Sequence, residues 1–172
     1  LQPKGGKVLV VSTDPGVSSV DARVAGFGDA ANGNKKFNYI GVQYSHNDPA
    51  TAQRIITAAL SKNKDIVAVF ATNLFSAQGV ATGIKQAGKA GKISVVGFDA
   101  GSDQVKALKA GVVQALIAQQ PASIGSQGIE AAVKAIGGGT VSPHAVKTGF
   151  TILTKKNIDT AAGKKAQYRD AC

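Results

Sequence analysis

Short apolar runs alternate with segments of helical periodicity along most of the chain. Residues 7–11, 39–43, 66–71, 93–98 and 112–118 are runs dominated by Val, Ile and Leu. Such nearly unbroken runs predict strands covered on both faces, the environment of a parallel sheet. Between them, residues 19–32, 49–61, 76–90 and 103–110 predict helices, with a fifth over 121–136. Ile55, Ile56, Ala59 and Leu60 recur at helical spacing in the second, as do Ile124, Ile129, Val133 and Ile136 in the fifth. Asp48 before Pro49 reads as an N-cap followed by a first-turn proline, while Gly91 and the Gly137-Gly138-Gly139 run read as stops. Strand then helix, repeated, predicts an α/β fold with a doubly wound parallel sheet. Beyond the glycine run the pattern weakens: residues 145–153 predict one more strand, and 154–172 a mobile polar tail.

Ligands of open parallel sheets bind outside the carboxyl ends of the strands, where loops and helix N-termini converge. The first predicted strand runs into Ser12-Thr13-Asp14, the second into Ser45-His46-Asn47, the third into Thr72-Asn73, the fourth into Asp99 and the fifth into Gln119-Gln120. Every strand therefore ends in hydrogen-bonding side chains on one edge. Capped and solvated turns would look the same residue by residue. What distinguishes this edge is its chemistry, which is rich in amides and hydroxyls and poor in catalytic groups. His46 and His144 are the only histidines and lie far apart, and Glu130, the only glutamate, falls inside a predicted helix. No serine has a nucleophile-elbow context, neither Asp14-Pro15-Gly16 nor the 86–92 stretch is a phosphate loop, and no cluster has metal-ligand spacing. No enzymatic activity, metal or cofactor is expected.

At 172 residues and 44% hydrophobic composition, the chain is long enough for one domain with a real core. No stretch approaches the ~20 uninterrupted apolar residues of a membrane span, and residues 1–7 lack the apolar region of a signal peptide. Methionine is absent, so the chain is expected to begin downstream of its protein's own start. The lone cysteine, Cys172, can form no intrachain disulfide. A net charge of +10 would suit nucleic acid, but only Arg23, Arg54 and Arg169 among the cations are arginines and the lysines are scattered. A solvated lysine surface is the better reading.

Four segments together resemble the type I periplasmic sugar-binding proteins of the ribose-binding type. They are Arg23-Val24-Ala25-Gly26-Phe27, Val69-Phe70-Ala71-Thr72-Asn73, Val95-Val96-Gly97-Phe98-Asp99, and the stretch from Ala107 through Gln119-Gln120-Pro121 to Ile124-Gly125. The resemblance runs in consistent order over about residues 6–158. It implies a flavodoxin-like lobe of a two-lobed protein whose lobes are joined by three crossovers. On that plan residues 1–120 form the second lobe with its start missing, 121–149 cross to the absent first lobe, 150–158 are a return strand and 159–172 a polar tail. The resemblance implies ligand contacts at Arg23, Asn73, Asp99 and Gln119, and at Asn47, which stands where the ribose-binding type has a stacking aromatic. A polar ligand, a pentose, hexose or polyol, would suit such a set. It further implies an ABC permease as partner, no nucleic acid, and a periplasmic or extracellular location, with a lipid anchor on the full-length protein left open. Without its first lobe, the helix over 121–136 would expose an apolar face. The rival reading is the effector domain of a lactose-repressor-type regulator. The Gln119-x-Pro121-x-x-Ile124-Gly125 pattern resembles the transporters instead.

Overall fold

The computed structural model describes residues 2–169. Five parallel strands, β1 (Gly6–Ser12), β2 (Phe37–Tyr44), β3 (Ile66–Ala71), β4 (Ser94–Phe98) and β5 (Ala115–Ala118), lie in the order β2-β1-β3-β4-β5, and β6 (Thr151–Leu153) closes the edge antiparallel to β5. Each parallel step is bridged by a helix: α1 (Ser18–Asn32), α2 (Pro49–Lys62), α3 (Leu74–Gln86) and α4 (Ser102–Lys109). The expected doubly wound sheet is present. α5 (Pro121–Ile136) and α6 (Ala161–Lys165) follow.

Alternate side chains of each strand face opposite helical layers. Leu9, Val11, Val69 and Val95 join Ile56, Val80, Ile84 and Leu108 of the α2, α3 and α4 layer in one core, all at most 1% exposed. Phe70, out of phase with Val69 and Ala71, stacks on Phe27 of α1 at 5.4 Å, and Phe27 meets the edge of Tyr39 at 5.8 Å. The closest helix packing is between α2 and α3, where glycine stands in for a side chain. A Cβ on Gly79 would lie 2.2 Å from the Pro49 carbonyl oxygen and 2.5 Å from the Ala52 Cβ.

Caps explain where the helices begin. The Asp48 carboxylate accepts from the Thr51 N–H at 2.7 Å, with Pro49 behind it, as the sequence indicates. The end of α3 comes four residues earlier than the expected residue 90. Gly88, with φ of 64°, donates to Lys85 O, and Lys89 N–H reaches back to Ile84 O, so the helix closes in a Schellman turn before Gly91 is reached.

The carboxy-terminal third departs most from expectation. β5 is four residues rather than seven, because residues 112–114 turn to bury Val112 and Val113 against the core. The strand expected over 145–153 reduces to three residues, and Phe150 before it is 65% exposed. The tail expected to be mobile is instead packed down over residues 154–169. Ile158 is 1% exposed, Asn157 Oδ1 accepts from the Thr154 N–H at 2.7 Å, and Thr160 caps α6. A polar composition concealed this, because the anchoring is done by one isoleucine and local side-chain caps. Cys172 lies outside the described residues. α5 exposes its apolar face: none of its residues is buried, and Ile129 and Ile136 are 68% and 87% exposed.

Candidate functional site

The sheet order places a switch point between β1 and β3, whose following helices leave on opposite faces. Below the rim of that crevice lies a buried hydroxyl layer. Ser12 Oγ meets Thr72 Oγ1 at 2.9 Å, and Ser45 Oγ donates to Ser12 O at 2.9 Å while meeting Ser76 Oγ at 3.1 Å. These bonds tie the ends of β1, β2 and β3 to the first turn of α3. Thr13 Oγ1 is buried beside them without a hydrogen-bond partner among the described residues.

Above this layer the structure brings the expected residues to one edge. Asp99 sits at φ of 78°, a left-handed conformation that Asp and Asn tolerate better than most residues. That backbone turns its carboxylate toward α3 rather than toward the following α4. Oδ2 accepts from the Leu74 N–H at 3.1 Å, and Oδ1 accepts from Gln119 Nε2 at 2.9 Å. Asn73 is the N-cap of α3, its Oδ1 accepting from the Ser76 N–H at 3.0 Å, and its Nδ2 donates to Asn47 Oδ1 at 2.6 Å. Asn47 and its neighbour His46 are also left-handed, with φ of 55° and 52°. The imidazole of His46 pairs with Asp14 at 2.6 Å, so the β2 loop carries polar groups where a stacking ring was in question.

Arg23 joins them from α1 without directly bonding the other four. Its Nη1 donates to Thr72 O at 2.8 Å, and its guanidinium lies 3.5 Å from the centroid of the Phe98 ring. It thus bridges the strand ends that carry Asn73 and Asp99. Partial burial pulls its pKa down from the usual arginine value, while Asp99 and Tyr168 push the other way. A half-buried cation held over an aromatic face is poised for an oxygen-rich ligand.

Two participants had no signal in the sequence. Phe98 is the platform under Arg23, although a strand-end Phe reads equally well as core. Tyr168 comes from the segment after α6: its hydroxyl accepts from the Gln119 N–H and donates to Asp99 Oδ1, each at 3.0 Å. Burial above all pushes its pKa from the ordinary 10.0 up to about 12. The protonated phenol is therefore the form the fold favours; its contribution is complete below pH 10.0 and is lost as pH rises through about 12. Spectrophotometric titration should show one phenol ionising near pH 12 that Tyr168→Phe removes.

The sheet order and its flanking helices are those of one lobe of a periplasmic binding protein. The chain belongs to the periplasmic binding protein domain family, whose model matches residues 1–140. It is 34% identical over 143 residues to the D-allose-binding periplasmic protein of Escherichia coli, covering 83% of this chain and 46% of that protein. Against the ribose import binding protein of Salmonella typhimurium it is 36% identical over 135 residues, 78% of this chain and 45% of the relative. An ABC transporter solute-binding protein from Agrobacterium vitis, solved with α-D-tagatopyranose, superposes with a TM-score of 0.94 at 36% identity, over 97% of this chain and 56% of that one. A second from the same organism, with D-fucose bound, gives 0.91 at 34% identity, over 96% and 57%. The chain thus spans about half the length of these relatives.

Proposed function

We propose that the chain is one lobe of the substrate-binding component of an ABC importer and holds a sugar or sugar-like polyol in a cleft between two lobes. The observation that carries this reading is the convergence of Arg23, Asn73, Asp99 and Gln119 on the rim at the switch point. Arg23 supplies donors, Asp99 accepts from hydroxyls, and the amides of Asn73 and Gln119 do both. Asn47, locked to Asn73, adds a polar edge in place of a stacking ring and favours a ligand gripped by hydroxyls over one gripped by its apolar ring face.

The bare apolar side of α5 suits packing against a first lobe reached through residues 121–149. Closure of the lobes about that hinge would expel water and complete the hydrogen bonds, and the closed pair would present itself to the membrane permease. The relatives are sugar-binding transport proteins, which supports a non-enzymatic role and a periplasmic or extracellular site of action. The repressor alternative gains no support from them.

The test is calorimetric titration of the full-length protein with D-ribose, D-allose, D-tagatose, D-fucose and a set of polyols. At least one should give a saturable 1:1 isotherm of micromolar or tighter affinity, about −8 kcal/mol or better. Absence of heat with every member of the panel would overturn the reading.

A further inference from the structure

Tyr168 lies beyond the residues that the family model matches, 1–140, yet its hydroxyl ends at the centre of the rim. The segment that brings it there is anchored independently of the site. Ile158 is buried at 1% exposure, Gln167 Nε2 donates to Ile158 O at 2.7 Å, and the Tyr168 N–H donates to Ala100 O at 3.0 Å. The phenol then bridges two strand ends, taking the Gln119 N–H after β5 and giving its proton to Asp99 after β4.

We propose that Tyr168 is a positioning residue of the sugar site, fixing the plane of the Asp99 carboxylate and holding Gln119 beside it, so that the segment after β6 is part of the binding machinery. This rests on the sugar-binding reading above. A carboxylate held only by the Leu74 N–H and a mobile glutamine amide would sample several rotamers, and ordering them would fall to the ligand. With the phenol in place, Asp99 Oδ1 has both of its partners before any ligand arrives. Oδ2, whose one hydrogen-bond partner among the described residues is the Leu74 N–H, keeps acceptor capacity for a sugar hydroxyl. Preorganisation of this kind raises affinity by removing the cost of ordering rather than by adding a contact. The hydroxyl stays protonated over the whole physiological range, so the arrangement does not vary with pH there.

The experiment compares wild type, Tyr168→Phe and Tyr39→Phe in the full-length protein. Tyr39→Phe removes a phenol hydroxyl away from the rim while keeping the ring that packs against Phe27. In the ligand-free protein, Tyr168→Phe should accelerate amide exchange of Gln119 about tenfold, the effect of losing one hydrogen bond to a partly charged network. Titrated with D-allose, D-ribose and D-tagatose, it should bind about tenfold more weakly, with Tyr39→Phe within about twofold of wild type. Unchanged Gln119 exchange, unchanged affinity in Tyr168→Phe, or an equal loss in both variants would overturn the proposal. If wild type binds none of the three sugars, the sugar reading is what suffers, and the exchange measurement still decides whether Tyr168 orders the rim.

Discussion

Asp99→Ala should reduce sugar affinity by at least about a hundredfold. The carboxylate is the acceptor on which Leu74, Gln119 and Tyr168 all converge, so its removal takes away both a charged partner for the ligand and the group that orders its neighbours. A hydrogen bond to a charged group contributes about 1.5–3 kcal/mol, and losing the one Oδ2 can offer a ligand together with the ordering of Gln119 and Tyr168 reaches the hundredfold mark. Asp99→Asn separates charge from conformation, because asparagine accepts the left-handed backbone of this position and retains one acceptor. It should fold normally and still bind at least tenfold more weakly. Calorimetry on both variants checks the point, and an affinity within threefold of wild type for Asp99→Ala would remove the residue from the site.

The second large effect concerns stability and leaves the rim chemistry alone. Gly79→Ala should cost about 3 kcal/mol, because the new methyl would meet the Pro49 carbonyl at 2.2 Å and α2 and α3 cannot part without disturbing the core they share. For a domain of this size that is a fall in Tm of about 6–12 °C. Gly26→Ala on the exposed side of α1 is the contrast: a Cβ there meets nothing within 4 Å, and replacing a helical glycine should instead raise stability by about 0.5–1 kcal/mol. Thermal melts of the two variants should therefore move in opposite directions.

The five parallel strands and their helices were legible because each carries its own local signal, a two-sided apolar run or a cap such as Asp48-Pro49. The rim was legible for a related reason: Asp99 and Gln119 stand one residue past a strand and Asn73 two, and the topology of a parallel sheet puts all such positions on one edge. Tyr168 escaped because nothing near it in sequence shows that its partners are 69 and 49 positions away. The length of β5 escaped for a similar reason. Val112 and Val113 have strand-like side chains, and only the core they enter shows that they are buried from a turn. Gly91 reads as the stop of this helix, and only the register of the last turn of α3 shows that Gly88 ends it first.

The double duty of Asn73 and Asp99 bears on how such a lobe acquires a new ligand. Both complete the first turn of α3 as well as lining the rim, so altering either one disturbs the folded scaffold along with recognition. Asn47, on a loop, has no part in that turn, whereas Arg23 also ties the ends of β3 and β4. On the proposed reading, selection, natural or in the laboratory, can therefore retune preference most freely through Asn47, with the α3 pair kept as the constant grip around which specificity drifts.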